Sequence, residues 1–360
     1  MKQNYLYSSF LPGNFTRLKR SKLPLTICFF AILTSLPIFS FSQDSASAFY
    51  KSGMENFSSG LYNAASKDFD KAIQLNPAYA EAYIANGKVN MEMNRIYEAN
   101  TNFSKAHELQ PKNKEVTREL MLIQFNSNKN EQAIQLAGQC GCDEAARVMG
   151  ISYYRLEDYG NAQIWLQKAL KQNDKDGEVS YTLGRTFLEL EKDNDAITYY
   201  EKAVKDEPTR NNWQYELGLL YYNANRFADA AKTFQDAANA GYRQTNDFLE
   251  NLGFCQLYGG DVSDGMKNLN TVLEHKPGNV TLLTNIAYAM YSTKRYEGAV
   301  EFYQKVLNLN PTDANSLYMA GMAFQKMGQK DKGQAICDKA IEMDPSLAKY
   351  RQKKELPTGL

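Results

Sequence analysis

The side chains best suited to nucleophilic, acid–base or metal chemistry are scarce in this 360-residue chain: two histidines, His107 and His275, and five cysteines. Hydrolytic and metal-assisted reactions need such groups to converge with one another or with carboxylates. The two histidines fall in helical segments far apart in sequence, and both read as structural filler. Cys140-Gly-Cys142 is the one close pair. In an oxidising compartment it can close a small ring, strained by its shortness and therefore easily reduced. A structural or incidental role is the other open reading, and without a nearby histidine the pair is not a zinc site. Cys255 and Cys337 lie in separate helices with no obvious partner, and Cys337 takes a core position. Cys28 does not fit a lipid-modified cysteine, because Ile27 precedes it and most of the apolar run follows it. "GGDVSDG" at 259–265 has the composition of a calcium loop, but Met266 stands where that loop requires Gly. Gly-Gly-Asp there reads as a turn followed by a helix N-cap. The glycosylation sequons at Asn56 and Asn102 fall within helices, a poor acceptor context. Neither catalysis nor a metal or cofactor is expected.

Formal charge balances, with 41 Lys+Arg against 41 Asp+Glu, but unevenly. Residues 1–42 hold Lys2, Arg17, Lys19, Arg20 and Lys22 and no acid, and the remainder holds 36 basic against 41 acidic residues, a net charge of about −5. A mildly acidic body lacks the basic face that a phosphate backbone requires, which argues against nucleic acid as a partner. The N-terminal basic cluster precedes a 19-residue apolar run, Leu23 to Phe41, ending in Ser40-Phe41-Ser42. Basic, apolar, then small-x-small is the secretory signal pattern, with cleavage expected after Ser42 or Gln43. The run also reaches the lower range of a spanning helix, so an uncleaved anchor is the alternative, with Pro24 and Pro37 against a straight span. Either way the basic flank stays inside, and residues 44–360 are expected outside the cytoplasm, in the periplasm or cell envelope.

The elements behind these residues repeat. "KAIQLNP" ends at Pro77, and related spellings close at Pro111, Pro208, Pro311 and Pro345. Pro77 to Pro111, Pro277 to Pro311 and Pro311 to Pro345 are each 34 residues apart. Starts at Ala46, Ala80, Lys114, Asp143, Gly177, Asn211, Asn246, Val280 and Ala314 divide the chain into nine repeats, the third 29 residues long and the sixth 35. The eighth residue of a repeat is Gly in seven of the nine, Met121 and Ala287 being the exceptions. The twentieth is Ala or Gly in all nine. Small residues belong where two helix backbones approach, and aromatics such as Phe69, Phe103, Tyr200, Phe234 and Tyr303 fill the remaining gaps as core. Each terminal proline stops the second helix of a pair.

A 34-residue period of paired helices with these small positions resembles the tetratricopeptide repeat family across residues 46–345. The resemblance implies an all-α, right-handed α-solenoid of about nine tetratricopeptide helix-turn-helix repeats with a C-terminal capping helix. Residues 346–355, with Leu347 and Tyr350 on one side, are expected to form that cap, since repeat arrays need a polar-faced end. Repeat three departs most, lacking its Gly and ending its second helix early at "AGQCGCDE". Its interface with repeat four is expected to be the weak point.

In this family the first helices line a concave groove, through residues two, five, nine, twelve and thirteen of each repeat. Carried onto this chain, the apolar groove positions are Tyr50, Met54, Phe57, Ile84, Met91, Tyr154, Tyr181, Tyr215, Tyr222, Phe254, Tyr288, Tyr291 and Tyr318. Tyr and Met suit recognition surfaces, although the same side chains also suit packing between neighbouring first helices. Lys88, Arg118, Arg147 and Arg185 add cations to repeats two to five, either as a mixed-charge subsite or as a solvated, salt-bridged surface. The C-terminal half of the strip reads as more aromatic and nearly uncharged. The resemblance implies a non-enzymatic scaffold of the cell envelope that binds a protein or peptide partner in the groove. The alternatives are a chaperone-like holder of exported chains and a membrane-anchored assembly factor. Membrane contact is expected only through the N-terminal segment, if it stays uncleaved. The family's carboxylate clamp uses Asn at the ninth position, and no ninth position here is Asn.

Overall fold

The computed structural model describes the backbone of residues 36–353 and the side chains of residues 44–351. The basic cluster and most of the apolar run expected as a signal or anchor lie outside the described residues. Among the described residues there are nineteen α-helices and no strand. None of these helices is long and apolar enough to cross a membrane. Contacts divide the chain at Val116/Thr117 into two compact units. The first holds α1 (Leu36–Ser58), α2 (Tyr62–Leu75), α3 (Ala80–Glu92), α4 (Ile96–Leu109) and the start of α5 (Lys114–Asn126). The second holds the rest of α5, then α6 (Asn130–Cys140), α7 (Ala145–Arg155), α8 (Tyr159–Gln172), α9 (Gly177–Glu189) and α10 (Asp193–Asp206). It continues with α11 (Asn211–Asn223), α12 (Phe227–Asn239), α13 (Asn246–Gly259), α14 (Val262–His275) and α15 (Val280–Ser292). It ends with α16 (Tyr296–Leu309), α17 (Ala314–Lys326), α18 (Lys330–Met343), a 3₁₀ turn at Pro345–Leu347 and α19 (Ala348–Lys353). Consecutive helices pack as pairs: α1 with α2 and α3 with α4 in the first unit, α7 with α8 through α17 with α18 in the second.

Seven first helices begin on the residue that the 34-residue ruler marks, from Ala80 to Ala314; α7 starts two residues after Asp143. The exception is α1, which starts at Leu36, ten residues before Ala46. Its one proline, Pro37, stands in the first turn, where a missing N–H breaks no helical bond.

The turn inside each pair is built the same way. Asn94, Asn128, Glu157, Glu191, Asn225 and Lys294 all adopt positive φ between 56° and 62°. With Asn94 turned, the Asn94 N–H donates to Met91 O (2.9 Å) and the Arg95 N–H to Asn90 O (2.8 Å), which closes the orphan carbonyls of α3. At Gly260 (φ 102°) the same turn precedes Asp261, whose carboxylate accepts from the Asp264 N–H at 3.3 Å, so "GGDVSDG" is a turn and an N-cap.

Close approach explains the eighth position. A Cβ on Gly53 would lie 2.6 Å from the Phe69 ring, and one on Gly218 would lie 2.7 Å from Phe234. The large partner is the twenty-fourth residue of the repeat. Repeat three reverses this arrangement: its eighth residue is Met121 and its twenty-fourth is Ala137, and both are buried in one cluster. The missing Gly is thus matched by a missing aromatic, and volume is kept. Repeat three remains short nonetheless, because Gly141 (φ 58°) stops α6 and α7 begins at Ala145. At the C-terminal end Leu347 is buried and the Tyr350 ring lies 6.4 Å from Tyr318, so the 3₁₀ turn and α19 cover the last pair.

Candidate partner-binding surface

In the first unit, five of the expected groove residues meet in one cleft of about 320 Å³. Tyr50, Met54 and Phe57 come from α1, at positions that share one helix face; Ile84 and Lys88 come from α3. Tyr50 rests against Phe69 and Tyr79, at centroid distances of 5.8 and 5.1 Å. Burial and nearby Glu81 raise its phenol above the ordinary value, partly offset by Lys88. Met54 stays 40% exposed, a large apolar side chain open to a ligand. The rim is polar and already satisfied. Lys88 pairs with Glu115 at 2.6 Å, and Gln110 donates to Glu81 at 3.0 Å. Met91 follows Lys88 on α3 and is half-buried.

In the second unit two of the expected groove cations are spoken for. Arg118 binds Glu144 (2.9 Å from Nε) and Glu119 (2.8 Å). The hydrogen bond from Arg118 holds the Glu144 carboxyl below its ordinary value. Arg147 binds Asp176 at 3.0 Å and also Glu178. Apart from Arg118–Glu119 within α5, these pairs link one first helix to the start of the next, so the salt-bridged surface describes them better than an open subsite. Arg185 differs: its guanidinium lies 5.7 Å from the Tyr154 ring and 5.9 Å from Tyr181, against aromatic faces rather than a carboxylate.

The aromatic strip separates into packed and open members. Tyr181 stacks on Trp213 at 4.6 Å and donates to Glu216 at 3.0 Å, which also accepts from Tyr200 at 2.8 Å. Burial, then Glu216, pushes the Tyr181 phenol up to about 12. Tyr215 stacks on Tyr242 at 4.5 Å and accepts from Asn251 at 3.0 Å. Two expectations are corrected. Tyr318 is 2% exposed and Tyr291 is 7% exposed, so both are core. Tyr318 lies beneath Tyr350, and Tyr291 belongs to the core cluster that also holds Met319 and Ala323 of the following first helix. The open members are Tyr222 (α11), Phe254 (α13) and Tyr288 (α15), which line a cleft of about 370 Å³. Glu250, Asn251, Tyr258 and Asn285 line it too. Sequence reasoning missed all four. Glu250 is the fifth residue of its repeat, in line with Tyr50 and Tyr215, but a search for apolar residues passes over a carboxylate. The C-terminal half of the strip is therefore not free of charge.

The groups suited to covalent chemistry point elsewhere. Burial pushes the Cys255 thiol up to about 12 and that of Cys337 to about 11, which keeps both protonated and unreactive. Cys140 and Cys142 form a disulfide, with Cα atoms 5.2 Å apart. His275 sits 3.1 Å from Asn246 Oδ1. Among the described residues no three His, Cys, Asp or Glu side chains cluster as metal ligands.

Models of the tetratricopeptide repeat family match residues 46–79, 181–244, 287–328 and 314–347. The first and last of these spans are the first and ninth repeats of the 34-residue frame. The chain is a tetratricopeptide repeat protein. Such proteins bind protein or peptide partners and are generally non-catalytic scaffolds. Among curated proteins, the chain is 22% identical over 121 residues to Protein CTR9 homolog of Arabidopsis thaliana. That match spans 33% of this chain but only 11% of the relative's length. Among solved structures, YrrB, described as a TPR protein with an unusual peptide-binding site, is 19% identical, with 52% of this chain and 97% of that one covered at a TM-score of 0.38. The C-terminal part of a TPR repeat-containing protein from Cytophaga hutchinsonii is also 19% identical, with 63% and 95% covered at a TM-score of 0.40. The TPR domain of P58(IPK) is 15% identical, with 85% and 97% covered at a TM-score of 0.28. These likenesses carry nothing about this chain's own partner.

Proposed function

We propose that this protein is a non-enzymatic scaffold of the cell envelope that holds a partner segment against the first-helix face of its repeats. The observation that carries this reading is that both clefts, one in each unit, are walled chiefly by first-helix residues at groove positions. Their open aromatics and Met54 offer contact area with adaptable shape, the composition of recognition surfaces. The envelope location rests on the sequence of residues 1–42, basic and then apolar, which fits export or anchoring.

The test is site-specific photocrosslinking in cells. A photoreactive phenylalanine replaces Met54 or Phe254 on first helices, and Tyr97 or Ile164 on second helices. Tyr97 and Ile164 are 81% and 61% exposed, so they report fairly on the opposite face. The expected result is a discrete adduct from positions 54 or 254 and none from 97 or 164. Adducts from the second helices alone overturn the reading, and many unrelated adducts mark a general holder of exported chains instead.

A further inference from the structure

The cleft of α11, α13 and α15 has a composition that the rest of the strip lacks. Four aromatic residues, Tyr222, Phe254, Tyr258 and Tyr288, line it together with one carboxylate, Glu250, and the side-chain amides of Asn251 and Asn285. Among the described residues Glu250 forms no ion pair, unlike the carboxylates around Arg118 and Arg147. Its charge is poorly matched. Burial, and then Asp247, raises its carboxyl above the ordinary value, and Lys276 offsets only part of this. Asn251 donates its amide N–H to Tyr215, which leaves its Oδ1 as an acceptor. The cleft therefore offers aromatic rings, one negative charge and amide acceptors, and no cation in its lining.

An anionic ligand would be repelled here, and an aliphatic one would bury Glu250 and the amides without partners, at the cost of their lost hydration. A cation answers every feature, since ring faces attract positive charge and the carboxylate pairs with it. Between the two cationic side chains, a planar guanidinium can lie on a ring while its edge donates to a carboxylate and an amide oxygen together. We propose that this cleft is a subsite for one arginine side chain of the partner. The inference rests on the reading that the first-helix face receives a partner segment, and it names the chemistry of one residue in that segment. The mildly acidic body, at about −5 for residues 43–360, favours the approach of such a partner.

The test uses the full chain and a blocked five-residue alanine peptide with a central arginine, titrated by ligand-observed NMR. The comparison ligands replace arginine by citrulline, its uncharged isostere, or by lysine, and choline chloride stands for a small quaternary ammonium. The expected result is saturable binding of the arginine peptide and binding of the citrulline peptide weaker by about tenfold. Glu250→Gln, at a partly exposed position and near-isosteric, should leave the unfolding curve unchanged and erase the difference between arginine and citrulline. Tyr258→Leu should weaken the arginine peptide as well. No saturable binding, equal binding of citrulline, or an unchanged preference in Glu250→Gln each overturns the proposal. Choline bound as tightly as the arginine peptide overturns it too, by assigning the rings to a free ammonium. If the peptide fails while the crosslinks at positions 54 and 254 persist, only this inference falls and the scaffold reading stands.

Discussion

Tyr200 and Tyr303 hold the same place in their repeats, the twenty-fourth, and both are almost fully buried. Their hydroxyls fare differently. Tyr200 donates to Glu216 at 2.8 Å, whereas the Tyr303 hydroxyl is buried without a hydrogen-bond partner. Burial comes first among the causes that raise both phenols, so neither ionises at physiological pH. The same substitution should then act with opposite sign. Tyr200→Phe removes a hydrogen bond to a charged group and should cost about 1.5–3 kcal/mol, while Tyr303→Phe removes only an unsatisfied polar atom and should be neutral or stabilising by about 1 kcal/mol. Urea unfolding checks both, with Trp213 fluorescence reporting on the region around Tyr200. Equal losses in the two variants would show that Glu216 contributes nothing.

At the scale of elements, repeat three is the exception. Its second helix α6 and the first helix of repeat four, α7, are 11 residues each, against 13 or 14 for the other repeat helices after α2. A cleft of about 300 Å³ opens beside them, lined by Ala137, Cys142, Met149 and Trp165 among others. The swap of Met121 for Gly and Ala137 for an aromatic keeps the volume inside the repeat, so the deficit lies between repeats three and four. In a nearest-neighbour array that is where cooperativity breaks first. Amide exchange should be faster over 126–145 than in α9, α10, α15 or α16, and uniform protection along the second unit would rule this out. Helix starts were legible because prolines, N-caps and turn residues mark them at a fixed period, as at Ala80 and Val280. The surface was less so. Tyr222 and Tyr291 share a register position, the twelfth, and only the next repeat's side chains decide that Tyr222 faces a cleft while Tyr291 is covered. A helical period reports the face of a residue, not what lies over it. Glu250 was missed for the opposite reason, since an apolar pattern cannot mark a carboxylate that lines a cleft.

Taken as one chain, the protein pairs an acidic body with a basic and then apolar N-terminal segment. Export with cleavage would leave a chain beginning near Gln43 or Asp44. That would remove the first seven or eight residues of α1 and leave Asp44 as an acid near the new helix N-terminus, a favourable place for negative charge. N-terminal sequencing of protein recovered from the envelope should read Gln43 or Asp44; an intact Met1 on membrane-bound protein would establish the anchor. The balance of charge also bears on which end of a partner is read. A carboxylate clamp needs several unengaged cations, but Lys88, Arg118 and Arg147 are each paired with acids of this chain, and Arg185 stands singly among tyrosines. At Lys88, Arg118 or Arg147 a partner's C-terminal carboxylate would have to displace one acid to gain one cation, and at Arg185 it would find a single cation without a matched set of donors; in each case it would lose hydration for little net gain. Apolar side chains, in contrast, gain roughly 25 cal/mol per Å² buried along the open aromatics. Amidating the C-terminus of a bound partner should therefore leave its affinity nearly unchanged. Tyr222→Ala combined with Phe254→Ala should weaken it by about tenfold or more, because aromatic anchors commonly dominate binding energy. These two residues serve better than Tyr215, whose stacking on Tyr242 would confound binding with stability. If amidation abolishes binding while the double variant binds normally, the partner is held by its terminus and the open aromatics are bystanders.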